Sequence, residues 1–220
     1  MKTITKTYHS LHQLPKAGIL LLALMCSSLG WTNDDRPIRL GSLAVSKQFG
    51  DYTVFGAGGL IKGTIEGELV STGVVGKINQ QFYWQAEYFG LFTDIPNGGT
   101  KHDNRARTTL TYVKAFDTWR FSVRPLLEYR NSETLNGFRL RPQLALFYPL
   151  TIKEQKITPS FKIEPFYVEK QQEFTFTLIY FGAEWSIHPK LALSAEYVRI
   201  IDHINTTDIE GPALTLKVRL

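Results

Sequence analysis

One cysteine in 220 residues, Cys26, excludes a disulfide framework and leaves any thiolate site without a second sulfur ligand. Long hydrophobic runs are also missing. Nowhere do about 20 consecutive apolar residues occur, so a transmembrane helix is excluded. Charge of one sign is scarce too. The formal net charge is +5, and Lys2, Lys6 and Lys16 supply most of the excess from a stretch without acidic residues. Beyond that stretch the two signs nearly balance, which is too mild for a nucleic-acid partner. Histidine is sparse: beyond the N-terminal stretch only His102, His188 and His203 remain, and all three read as lying in connections.

The N-terminal stretch has its own grammar. A basic beginning leads into residues 17–30, AGILLLALMCSSLG, which are too short to span a bilayer as a helix. Ser28 and Gly30 stand at the −3 and −1 positions of a cleavage site before Trp31. Residues 1–30 are therefore expected to be a secretory signal peptide that contains Cys26. Acylation of Cys26 would make the chain a lipoprotein, but Leu24 and Met25 are poor neighbours for that processing.

What the chain has in quantity is alternation. Residues 118–150, TWRFSVRPLLEYRNSETLNGFRLRPQLALFYPL, place Trp119, Phe121, Val123, Leu127 and Tyr129 on one side and Arg120, Ser122, Arg124, Glu128 and Arg130 on the other. The second arm sets Phe138, Leu140, Leu144, Leu146 and Tyr148 against Arg139, Arg141 and Gln143. Period two means strand. Each arm is about 12 to 14 residues, where a soluble strand averages about 5 to 6 and a tilted transmembrane strand needs about 9 to 11. Length and alternation together predict a transmembrane hairpin, apolar to lipid and charged to a lumen.

The same reading predicts strands at 82–92, 105–116, 119–130, 137–149, 156–168, 174–187, 190–201 and 211–220. Between them lie long connections at 93–104 and 202–210 and tight turns at 117–118 and 188–189. With a periplasmic C-terminus, 93–104, 131–136, 169–173 and 202–210 face outward. Aromatic residues gather at strand ends: Phe82, Trp84, Phe116, Trp119, Tyr148 and Trp185 toward one rim, Phe92, Tyr129, Phe138, Tyr167, Phe174 and Tyr197 toward the other. Such girdles suit the headgroup level of a bilayer. Residues 38–79 are glycine-rich and alternate weakly. The run GAGG at 56–59 lacks the Gly-Lys-Ser/Thr ending of a phosphate loop and reads as a turn or barrel kink. An even strand count asks for two strands there.

The expectation is thus all-β: a single antiparallel up-and-down outer-membrane barrel of ten strands over 38–220, with twelve as the alternative, after a periplasmic N-terminal stub at 31–37. A soluble β-sandwich is the competing fold, with shorter strands and its apolar faces turned inward.

From residue 82 onward the pattern resembles a family of bacterial outer-membrane barrels catalogued as domain of unknown function 2490. The resemblance rests on WRFSVRPLLEYR with FRLRPQLALFYPL, then IEPFYVE, YFGAEW and KLALSAEYV. It implies an outer-membrane location and a ten- or twelve-stranded barrel, and it carries no catalytic residue to transfer.

No catalytic, cofactor or metal set emerges from the residues themselves. His188 and His203 fall on opposite rims and cannot share a site; His102 beside Asp103, and His203 near Asp202 and Asp208, read as solvated loops. The candidate site is instead a lumen charge cluster: Arg107, Arg120, Arg124, Glu128, Arg130, Arg139, Arg141, Lys162 and Glu164. It can be an internal ion-pair filling, or the basic wall of a path for small anions. Three functions follow: a narrow porin-like channel or passive transporter for small anionic solutes, a non-conducting barrel whose outer loops bind a partner or surface polymer, and a lipid-modifying enzyme, for which no nucleophile–base pair is evident. The expected partners are outer-membrane lipid and the outer-membrane assembly machinery.

Overall fold

The computed structural model describes residues 37–95, 98–132, 136–205 and 208–220. The expected signal peptide, Cys26 and all of the 31–37 stub except Pro37 lie outside them.

Every long segment is a strand: β1 Ile38–Phe49, β2 Tyr52–Gly63, β3 Gly67–Lys77, β4 Phe82–Asp94, β5 Thr100–Phe116, β6 Trp119–Ser132, β7 Gly137–Phe147, β8 Leu150–Ile152, β9 Gln155–Val168, β10 Glu173–His188, β11 Leu191–Asp202 and β12 Ile209–Arg219. Neighbours pair antiparallel around the ring, except that β7 pairs with β9, and three-residue β8 pairs only with β9. β12 then closes on β1 in parallel, from Leu40↔Ala213 to Ser46↔Arg219. The result is a closed barrel of eleven strands with one short strand outside the ring.

The expected count of ten, and the alternative of twelve, are therefore corrected to eleven. The parity rule misled. A parallel seam closes an odd ring, and residues 38–79 hold three strands rather than two. Their inward faces carry Ser42, Ala44, Ala57, Gly59, Ser71 and Gly73, so apolar-out, small-in gives little hydropathy contrast. Gly56–Gly59 is no turn but the middle of β2. A Cβ on Gly59 would stand 2.6 Å from the Gly41 carbonyl oxygen and 2.8 Å from Ser42 Cβ, so this run marks a close approach of β1 and β2.

From β4 onward the strands follow the sequence reading within a few residues, apart from β8, which lies inside the expected 150–155 connection, and β5. It begins at Thr100, so the long connection expected at 93–104 shrinks to 95–99, and His102 lies within a strand, its ring 5.3 Å from Phe92. The connection expected at 202–210 likewise shortens to 203–208.

Antiparallel order sends the β2–β3, β4–β5, β6–β7, β9–β10 and β11–β12 connections to one rim, together with Pro37. The remaining turns and Leu220 occupy the other, the C-terminal rim. Aromatic pairs mark both. Tyr52–Trp84, Phe82–Tyr112 and Trp119–Tyr148 sit toward the C-terminal rim. Phe92–His102, Tyr129–Phe138 and Tyr167–Phe174 sit toward the far rim. Gly76 makes room for one of these rings: a Cβ there would fall 2.1 Å from Trp84 Nε1.

The buried residues lie inside the ring. Ile38, Ile61, Leu126, Phe166 and Val198 fill its far half, and the small Ser122, Ala145, Ser160, Ala192 and Ser194 line its C-terminal half. The outer face is the reverse, with Leu43, Leu60, Leu127, Leu140, Leu144, Phe161 and Leu214 exposed.

Candidate functional site

Register builds the site. Arg107 on β5 pairs directly with Glu128 on β6, and Glu128 with Arg139 on β7. Directly opposed residues on one face have Cβ atoms about 4.5 to 5.5 Å apart, so one inward rung reads Arg–Glu–Arg. One step toward the far rim, Arg105 opposes Arg130. Like charges directly opposite repel, and here Asp103, next along the inward face of β5, lies between them.

The contacts are dense. Glu128 is fully buried (0% exposed) and accepts from Arg107 Nε at 2.7 Å, Arg139 Nε at 2.8 Å and Arg141 Nη1 at 2.8 Å. Glu164, 1% exposed, accepts from Arg141 Nε at 2.9 Å and Gln143 Nε2 at 2.8 Å, with Arg124 Nη2 at 3.7 Å. Asp103 takes Arg105 Nη2 at 2.6 Å and both Nε and Nη2 of Arg130. Glu87 accepts from Ser71 Oγ at 2.7 Å, Gln85 Nε2 at 2.8 Å and Arg107 Nη1 at 3.3 Å. The guanidinium planes also stack. Arg107 lies 3.7 Å over the Phe89 ring and Arg141 4.1 Å over Phe166, an arrangement that covers a weakly hydrated cation without removing its in-plane donors.

Six arginines thus share four carboxylates on the β4–β9 wall. Two donors remain over: Arg105 Nε and Arg124 Nε are buried without a hydrogen-bond partner among the described residues. A second, looser set continues the ring from β9 to β12, with Lys162 2.5 Å from Glu196, and Lys217 and Arg219 at 2.6 and 3.5 Å from Glu184.

The expected cluster members separate accordingly. Arg107, Glu128, Arg130, Arg139, Arg141 and Glu164 join one lattice, and Arg124 touches its edge. Lys162, on β9 with Glu164, pairs instead with Glu196 of the second set. Arg120 stands exposed near the C-terminal rim, 4.9 Å over the Phe147 ring. Asp103, Arg105 and Glu87 belong to the lattice but not to the expected cluster. Asp103-x-Arg105-x-Arg107 carries a clear period-two signal, obscured because 93–104 reads as a loop.

At the far rim Thr177 Oγ1 and His203 Nε2 are 2.8 Å apart. Neighbouring Asp202 does not orient that imidazole. One of its oxygens accepts from the Ile204 and Asn205 amides and the other from Asn205 Nδ2. Among the described residues no group of three His, Cys, Asp or Glu could hold a metal ion.

The family described as Protein of unknown function (DUF2490) matches residues 64–209, well over half of the chain. No curated protein matches it. Among solved structures, LpxR from Salmonella typhimurium is similar at a TM-score of 0.51 and 8% identity, over 76% of this chain and 83% of that one. At that identity the likeness speaks for the barrel fold alone.

Proposed function

The chain belongs to the family described as Protein of unknown function (DUF2490), and on that premise we propose that it is a bacterial outer-membrane barrel whose lumen is braced shut rather than open, and which works at its rim. The buried state of Glu128 carries this reading. A carboxylate lining a water-filled pore would be hydrated; this one is covered on all sides and held by three guanidiniums. Removing such charges from water costs several kcal/mol per ion, so Glu128 stays ionised there only because its guanidinium partners offset that cost.

Membrane insertion is supported by the outer face. Phe181 is 65% exposed and Leu144 44%, within an apolar belt that runs round the ring between two sets of aromatic pairs. A soluble monomer rarely exposes an apolar patch beyond a few hundred Å², whereas a lipid-facing barrel requires one. Expressed with its N-terminal segment intact, the protein should sediment with outer membranes and require detergent. Recovery from the soluble periplasmic fraction would overturn this.

A second reading, the narrow anion path, is favoured by the excess of arginine over carboxylate and by Arg124, the most exposed of the six at 26% of its side chain. Planar bilayers holding the refolded protein separate the two. The braced barrel gives no steady single-channel current; small steps that reverse toward the chloride potential in a salt gradient would favour the path.

A further inference from the structure

At the far rim, where β7, β9 and β10 meet, a cavity of about 460 Å³ opens beside the lattice. Its polar wall carries Arg130, Arg139 and Lys170, and its apolar wall Phe138, Val168 and Phe176. From the cavity's position and lining we infer that it is a binding site for an anionic amphiphile: a phosphate or carboxylate head against the arginines, and a hydrocarbon tail over the phenylalanines. The inference rests on the membrane-barrel reading and names the ligand class of its rim.

Three observations converge on that class. First, the charge is one-sided. Arg130 shares its only carboxylate partner in the lattice, Asp103, with Arg105 directly across the strand pair, whose further contact, Glu128 at 3.8 Å, is already held by three other arginines. Lys170 adds a third positive group from the β9–β10 turn. An incoming phosphate or carboxylate completes this balance, whereas a cation would be repelled. Guanidiniums bind such planar or tetrahedral oxyanions by paired N–H donors.

Second, the apolar wall leads outward. Phe138 is exposed on the barrel's outer face and pairs with Tyr129 at 5.1 Å in the far-rim aromatic set. Phe176 faces inward and meets Phe166 at 6.4 Å. The cavity therefore borders, at the rim end of β7, both the charged inner face at Arg139 and the outer aromatic set at Phe138, which suits a molecule with one charged and one oily end.

Third, the size is right. Ligand cavities of about 300 to 1,000 Å³ enclose drug-sized molecules, so 460 Å³ takes a head and several methylenes, not a bare ion.

The test is titration of the full-length protein, folded in neutral maltoside micelles, with octyl phosphate, octanol and inorganic phosphate. Octyl phosphate should saturate one site per chain, and the other two should bind at least about tenfold more weakly, because each lacks one half of the recognition. Lys170→Gln and Arg130→Gln should each weaken octyl phosphate by about tenfold or more, the scale of one lost charge-assisted hydrogen bond, while octanol is unaffected. Val168→Trp, which fills the cavity, should abolish binding and supplies the blank for partition into micelles. Inorganic phosphate binding as tightly as octyl phosphate would overturn the inference, since the apolar wall would then contribute nothing. Binding unchanged in Val168→Trp would overturn it as well. Either failure leaves the barrel reading standing if the protein still fractionates with outer membranes; a soluble protein without need of detergent removes that reading itself.

Discussion

Replacing Glu128 by Gln tests whether the lattice braces the barrel. The carboxylate is fully buried and receives three arginines at 2.7 to 2.8 Å. Gln keeps the volume but removes the charge, and its amide N–H₂ faces guanidinium donors where only acceptors are useful. Arg107 retains Glu87 and Arg141 retains Glu164, so Arg139 is the group left without a carboxylate. Breaking a buried pair by removing one partner costs about 3 to 5 kcal/mol. Urea unfolding of the refolded protein in micelles, followed by tryptophan fluorescence, should show that loss as a lower midpoint with unchanged slope. Adding Arg139→Gln removes the stranded cation, and the pair should couple by about 0.5 to 3 kcal/mol rather than add. Glu184→Gln in the looser β9–β12 set, whose Lys217 and Arg219 partners are 39% and 52% exposed, supplies the comparison at about 1 kcal/mol or less. If Glu128→Gln costs no more than Glu184→Gln, the lumen is wet and the bracing argument fails.

Two further outcomes are expected. Leu144→Arg, on the outer face near the middle of β7, should destabilise by about 2 to 4 kcal/mol in bilayers, whereas Gln143→Arg, inward beside Glu164, should cost much less; equal effects in unfolding would reverse the inside–outside phase. Lys153 and Glu154 join β8 to β9 with φ of +46° and +69°, so replacing them by Asn-Gly should raise stability by about 1 kcal/mol, and an unchanged thermal midpoint would show that this hairpin frays before the barrel unfolds.

Much of the barrel was legible because period two survives wherever outer and inner faces differ in polarity. The hairpin of Trp119–Ser132 with Gly137–Phe147 alternates leucine and phenylalanine with arginine and glutamate, and it fixed strand, phase and most of the lattice at once. Where the inner face is Ser42, Ala44 or Gly59, the contrast disappears and so did the strand count. The missing lattice members have a different cause. Lys101, His102, Asp103 and Asn104 look like a solvated loop, yet β5 runs through them, because an inward carboxylate between two arginines is as well satisfied as one in water. Partner geometry set the start of that strand, and local hydropathy could not report it. The rim cavity was not legible at all, since Arg130, Val168, Lys170 and Phe176 meet only when four strands, β6, β7, β9 and β10, close side by side.

The parallel seam has a consequence for where the barrel begins and ends. Because β1 and β12 run the same way, the backbone leaves Pro37 at one rim and Leu220 at the other. In a bilayer the start of β1 and the end of β12 would lie at opposite surfaces. The seam itself is a join of slanted parallel hydrogen bonds, slightly less stable per residue than the antiparallel ladders around it. It is also flanked by the small side chains of Ser42 and Thr215, whose hydroxyls meet at 2.8 Å. Leu43 against Leu216 and Val45 against Val218 carry the rest of the join, so this single line of slanted bonds closes the ring.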